Sequence, residues 1–211
     1  SGFRINGSKV FTTHGSVADV LLAYVRYGPG LEGIGSVLIE RDMEGFTIGK
    51  PVRFLSGEDW AQLYFDDVYV GPENVLLGSN GFRKQISGFN VERIGNAARA
   101  LALGRHAFYI ARNYAQTRRQ FGRPLCEFQG LQWKFAEMKM KLDAAELLLY
   151  RAASNADNQR LNAAETSIAK AYCNETGFNV SSEAMQIMGG AGYSQDNLVE
   201  YCFRRTRGWM I

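Results

Sequence analysis

The hydrophobic period of this 211-residue chain changes once, near residue 80, and that change limits its fold more than any other feature. Before it, short β-branched and aromatic runs at residues 9–13, 20–26, 35–40 and 62–70 read as antiparallel strands. Pro29-Gly30, Glu44-Gly45, Ser56-Gly57 and Asp66-Asp67 supply the expected turns between them. The opening segment, Ser1 to Gly7, reads as part of a hairpin with Asn6-Gly7 as its two-residue turn. After residue 80 proline is confined to Pro124, and Leu131, Phe135, Met138 and Leu142 fall three and four apart, one apolar face of a helix over about residues 128–155. Further helices are expected over 81–118, 162–188 and 195–211. The fold class is α+β by segments: a partial antiparallel β domain over 1–79, then an up-down, four-helix-bundle-like α domain over 80–211.

Composition narrows the function classes. A 46% hydrophobic content supports a sizeable core, and 24 basic against 21 acidic residues leave a formal charge of only +3, no footprint of nucleic-acid binding. No apolar stretch approaches the roughly 20 residues of a membrane span, and no basic segment with an apolar run opens the chain, so a soluble chain is expected. Cys126, Cys173 and Cys202 are too scattered for a disulfide framework, and with only His14 and His106 beside them no metal-ligand spacing exists. They read as ordinary reduced thiols.

The chemistry-bearing residues cluster by type. Arg118-Arg119-Gln120-Phe121-Gly122 is followed by Phe128-Gln129 and later by Gln186-Ile187-Met188-Gly189-Gly190-Ala191-Gly192-Tyr193. Arginine and glutamine hold pyrophosphate and ribitol oxygens, glycines admit a ligand close to the backbone, and an aromatic covers an apolar ring, which points to a flavin. Each part alone has a plainer reading: Arg118 as a helix-end cation, Gly189-Gly190 as a helix cap.

In this order these segments resemble the acyl-CoA dehydrogenase flavoprotein family, and the likeness runs from Gly2 to Met210. The resemblance implies FAD, with Arg118 on its pyrophosphate, Gln120 and Phe121 on the cofactor of a neighbouring subunit, and Gln129 as a further contact. Phe128 stands where the family often has histidine. Gln186, Gly189 and Gly190 resemble the segment facing the adenosine end. Phe11 and Thr13, in Lys9-Val10-Phe11-Thr12-Thr13-His14-Gly15, resemble the aromatic against the isoalloxazine ring and the threonine at its N5 edge. Strand alternation puts the two on one face. The family usually has tryptophan at Phe11, and a core phenylalanine is the plainer reading.

Desaturating an acyl thioester needs a carboxylate base opposite the flavin. In many members of the family it lies beyond the position of Ile211; in another subgroup it lies in the helix that Phe89-Asn90-Val91-Glu92-Arg93 matches, with Glu92 at the base position. Phe89, Glu92 and Arg93 share a helix face by spacing, and Arg93 and Asn90 resemble contacts to the CoA substrate. An exposed surface glutamate is the alternative for Glu92. His106 reads as structural or exposed. Leu147-Leu148-Leu149-Tyr150 reads as bundle core.

The resemblance further implies an acyl-CoA substrate, a homotetramer and an external electron acceptor such as an electron-transfer flavoprotein. Two alternatives stand beside it: a flavin monooxygenase or oxidase of the same fold, and a non-catalytic helical interaction module. It implies that a helical domain and the first β strands precede Ser1 and that the last helix continues past Ile211, so that the chain is a fragment. The compartment implied is cytoplasmic for a bacterial protein and the mitochondrial matrix for a eukaryotic one.

Overall fold

A computed structural model describes residues 2–157 and 160–211. The chain divides into two compact units, Ser1–Gly88 and Phe89–Ile211.

The first unit is built from two antiparallel sheets. Strand β1 (Phe3–Thr13) pairs with β6 (Asp59–Val70), which also pairs β4 (Phe46–Ile48) and the short β5 (Val52–Arg53). The second sheet has the order β2 (Val20–Arg26), β3 (Ile34–Glu40), β7 (Val75–Leu77). Ala23, Val37 and Ile39 of one sheet and Phe46, Leu63, Phe65, Val68 and Val70 of the other form one buried cluster, the filling of a two-layer sandwich.

Two of the expected turns are not turns. Asn6-Gly7 does not reverse the chain: β1 runs on through it, and Ser1, where the expected hairpin starts, lies outside the described residues. Asp66-Asp67 likewise lies inside β6. Pairing steps from Ile5↔Val68 to Gly7↔Phe65, so that Asn6 faces both aspartates, a two-against-one bulge. Asp67 takes φ +53°; its N–H donates to Asn6 Oδ1 at 2.8 Å and its carboxylate pairs with Arg4 at 2.9 Å. The extra residue shifts the alternation by one. Ala61, Leu63 and Phe65 are buried before it, Val68 and Val70 after it. Polar turn residues and bulge residues look alike in sequence, because what separates them is the partner strand.

The second unit is an up-down bundle. Helix α1 (Phe82–Thr117) is followed by the small hairpin β8 (Arg119–Gln120) and β9 (Arg123–Pro124), then α2 (Gln129–Ser154). Two short strands, β10 (Ala156–Asp157) and β11 (Arg160–Leu161), lead to α3 (Ala163–Met188), a single turn α4 (Gly190–Tyr193) and α5 (Leu198–Met210). The expected start of the last helix at 195 moves to 198 because Asn197 caps it, accepting from the Val199 N–H at 3.1 Å. Asn162 caps α3 in the same way, accepting from Ala164 and Glu165.

Among the buried positions, 97, 101, 104, 108, 111 and 115 on α1 and 166, 169, 173, 177, 180, 184 and 187 on α3 follow the three-four spacing of near-parallel packing. Cross-helix pairs give the directions. Thr166 bonds Asn90 and Asn174 bonds Asn96, so α1 and α3 run parallel; Cys173 donates to Ala145 O while Lys134 pairs with Glu183, so α2 runs against α3. Helix α5 returns antiparallel, with Asn174 donating to Trp209 O at 2.6 Å.

Glycine sets how closely α1 and α3 approach. A Cβ at Gly177 would stand 2.4 Å from Ala100 O, and one at Gly104 2.8 Å from Gly177 Cα. The stretch 147–150 departs from expectation. Leu147 is 71% exposed and Tyr150 is also exposed, so only Leu148 and Leu149 turn partly inward.

Gly177→Ala gains about 1 kcal/mol of helix propensity but forces an overlap that costs about 1–3 kcal/mol once backbones shift. Thermal unfolding followed by circular dichroism is expected to show a lower Tm for this variant; an unchanged or higher Tm contradicts the close crossing.

Candidate functional site

In the first unit, Phe11 and Thr13 sit at the end of β1. Pairing jumps from Lys9↔Leu63 to Thr12↔Ala61, a second bulge, and Phe11 adopts φ +56°. The bulge breaks the simple alternation that would place Phe11 and Thr13 on one face. Phe11 is not a core residue, however: its ring is 61% exposed, and Thr13 is exposed beside it.

In the second unit the proposed substrate helix is the start of the bundle portion of α1. Glu92 is exposed, and among the described residues no cation lies within ion-pair distance of it. Phe89, one turn earlier, is partly exposed. Asn90 is buried and engaged on three sides. Its amide donates to Leu161 O at 3.3 Å, and its Oδ1 accepts from Thr166 Oγ1 at 3.3 Å and from Arg93 Nη1 at 2.9 Å. Asn90 thus positions Arg93 one turn from Phe89 and next to Glu92. Sequence spacing places these residues on one face, but only the structure shows that Asn90 anchors from within.

The hairpin between α1 and α2 gathers the second set. Phe121 and Gly122 have φ +51° and +81°, a tight turn joining β8 to β9 that leaves the Phe121 ring 91% exposed. Arg119 steadies the turn by donating to Gly122 O at 3.2 Å. Arg123 lies 4.1 Å over the Phe128 ring, and Phe121 meets that ring edge-on at 6.3 Å. Arg118, Gln120 and Gln129 are exposed around them. Arg119 and Arg123 have no specific signal in the sequence; their roles come from the turn that they brace.

Gln186 is exposed on the last turn of α3, which Gly189 closes with φ +59° and an N–H donated to Met185 O at 2.9 Å. An added Cβ at Gly189 or Gly190 would meet no atom within 4 Å, whereas one at Gly192 would meet Met188 Cβ at 2.9 Å. Packing explains Gly192 and the backbone angle explains Gly189. Neither explains Gly190, whose open surface leaves room for a ligand to approach the chain. Exposed Arg118, Gln120 and Gln129 at the same end of the bundle offer donors suited to a phosphate-bearing ligand.

Because α1 and α3 are parallel, the 118–129 and 186–190 segments share one end of the bundle and Phe89–Arg93 the other. From Glu92 to Thr117 the helix rises about 37 Å, 25 residues at about 1.5 Å each. Other groups add no chemistry here. Burial raises the Cys173 and Cys202 thiols to about 11, so neither is a thiolate at neutral pH. His106 is exposed, Arg204 of the Arg204-Arg205-Thr206-Arg207 stretch is paired with Glu200 at 2.6 Å, and no metal-holding cluster occurs among the described residues. Nor is any helix among them long and apolar enough to cross a membrane.

Comparison with known proteins adds an independent line. The family model described as acyl-CoA dehydrogenase, C-terminal domain, matches residues 79–211. An acyl-CoA dehydrogenase of Bacillus subtilis (strain 168) is 39% identical over 212 residues, covering 97% of this chain and 55% of the relative. The caffeyl-CoA reductase-Etf complex subunit CarC of Acetobacterium woodii is 33% identical over 214 residues, covering 99% of this chain and 56% of the relative. The solved structure of butyryl-CoA dehydrogenase from Megasphaera elsdenii matches with a TM-score of 0.92 at 34% identity, covering 100% of this chain and 56% of that one. The chain spans about half the length of the curated relatives it matches.

Replacing Asn90 by alanine removes the amide donor to Leu161 O and releases Arg93, while the Thr166 hydroxyl keeps its bond to Ala163 O. Asn90→Ala is expected to lose about 1–3 kcal/mol of stability in denaturant titration, and a smaller change than this shows that the anchor is dispensable.

Proposed function

Because the chain belongs to the acyl-CoA dehydrogenase family, we propose that the full-length protein is an FAD-dependent acyl-CoA dehydrogenase that desaturates a thioester between Cα and Cβ. The observation that carries this reading is Glu92: an exposed carboxylate, free of ion pairs among the described residues, one helical turn from Phe89 and beside an arginine held by Asn90. Glu92 takes the α-proton, and the Cα–H electron pair forms the new double bond. FAD, when bound, would supply the acceptor for the β-hydrogen as hydride. Phe89 gives an apolar wall for the acyl chain, and Arg93 a cation for the CoA portion. A hydroxylating relative has no need of a base aimed at an α-carbon, which favours desaturation over a monooxygenase reaction. The likeness to butyryl-CoA dehydrogenase supports a short acyl chain.

Phe11 and Thr13 face the flavin ring in this reading. Arg118, Gln120, Phe121, Gln129, Gln186, Gly189 and Gly190 hold the pyrophosphate and adenosine portions. Separation along α1 by about 37 Å keeps that set away from Glu92 of the same chain, so a second copy completes the cofactor site. An exposed apolar row on α2, Trp133, Met140 and Leu147 at seven-residue intervals, supports a homotetramer with helices packed between copies. An electron-transfer flavoprotein is the proposed acceptor, supported by the relative named as part of an Etf complex.

Glu92→Gln in the full-length protein is expected to abolish bleaching of the flavin by acyl-CoA under anaerobic conditions while leaving FAD bound; retained bleaching removes Glu92 from the mechanism. Gly190→Ala separates ligand from fold. Its stability should stay within about 0.5 kcal/mol of the unsubstituted protein, since the added methyl meets nothing, while FAD is lost more readily on dialysis. Equal FAD retention removes Gly190 from the cofactor site.

A further inference from the structure

The end of β1 carries more strain and more exposed aromatic surface than a sheet edge needs. Two residues with side chains, Phe11 at φ +56° and His14 at φ +58°, adopt left-handed backbone on either side of Thr13. Such outliers persist only where the surroundings impose them, and they concentrate at ligand sites. Around them stand three rings. Trp60 lies 4.7 Å from Phe11, centroid to centroid and inclined by 54°, and stacks on Phe54 at 5.9 Å and 30°.

Register fixes where Trp60 belongs. Thr13 pairs directly with Trp60 across the β1–β6 ladder, and directly opposed residues project from the same sheet face. On its other side Trp60 pairs with Val52 of β5, so that it occupies the middle of the surface and not its margin. Any flat ring resting on Thr13 therefore also meets Trp60.

We infer that Trp60 is a flavin-ring contact, forming with Phe11 one aromatic surface beside Thr13. The inference rests on the flavin reading above and adds to it a second aromatic contact, from the strand paired with β1. Indole is electron-rich and isoalloxazine electron-poor, so the contact contributes to binding and also quenches flavin emission by electron transfer from the excited contact pair. Phenylalanine in place of Trp60 preserves packing on Phe11 and Phe54 but donates electrons poorly. That difference separates a ligand contact from a structural prop.

The test uses the full-length protein loaded with FAD. Trp60→Phe is expected to brighten bound-flavin fluorescence and lengthen its lifetime at unchanged FAD occupancy. Trp60→Ala is expected to raise the FAD dissociation constant about three- to ten-fold, the effect of one lost aromatic contact. Emission and lifetime unchanged in Trp60→Phe overturn the inference even if Trp60→Ala binds weakly, since a prop for Phe11 would give that pattern. Wild-type protein that takes up no FAD overturns the functional reading and this inference together; flavin bound but indifferent to Trp60→Phe overturns this inference alone.

Discussion

Backbone contact between α1 and α3 at Gly104, Gly177 and Ala100 governs the helical unit. With no side chain between them at that point, the two helices approach until the carbonyl of Ala100 lies where a Cβ of residue 177 would be. That approach brings Asn174 within reach of both Asn96 and the end of α5, and Asn90 within reach of Thr166. A wider crossing would leave those buried amides without partners, at a cost typical of unsatisfied polar groups. The alignment of Arg93 is thus tied to a glycine 84 positions later in the chain, through α3 and Asn90.

Much of the architecture was legible because periodicity is local. The three-four spacing identified α1, α2 and α3 to within a residue or so, and the strands at 20–26, 35–40 and 62–70 were placed well. The misses share one physical cause. Asn6-Gly7 and Asp66-Asp67 have turn chemistry in isolation and become a bulge only when paired with each other, over 60 residues apart. Leu147 and Tyr150 read as core because composition records hydrophobicity and not direction. Their exposure becomes intelligible if the surface they cover is on another copy.

Legibility of the site followed the same division. Residue types and order identified the acyl-CoA dehydrogenase family and supplied Glu92, Arg118, Gln186 and the glycines as proposed site residues. The division of labour between Asn90, which is buried and bonded, and Arg93, which it orients, depends on α3. Trp60 was invisible for the same reason: nothing in a linear reading puts it opposite Thr13. Nor does the order of motifs show that the 118–129 and 186–190 segments stand at one end of the bundle and Phe89–Arg93 at the other.

The bulge at Asp67 amounts to a parity rule for β6. Upstream inward positions are odd-numbered and downstream ones even-numbered, with Asp66-Asp67 as the only place where the count changes. Loss of one residue there would return the strand to a single parity, turning Val68 and Val70 toward water and breaking the Arg4 tie at once. Substitutions at the aspartates leave the count intact and so spare the core. The strand therefore tolerates changes of side chain at this point far better than changes of length, an asymmetry that a regular strand would not show.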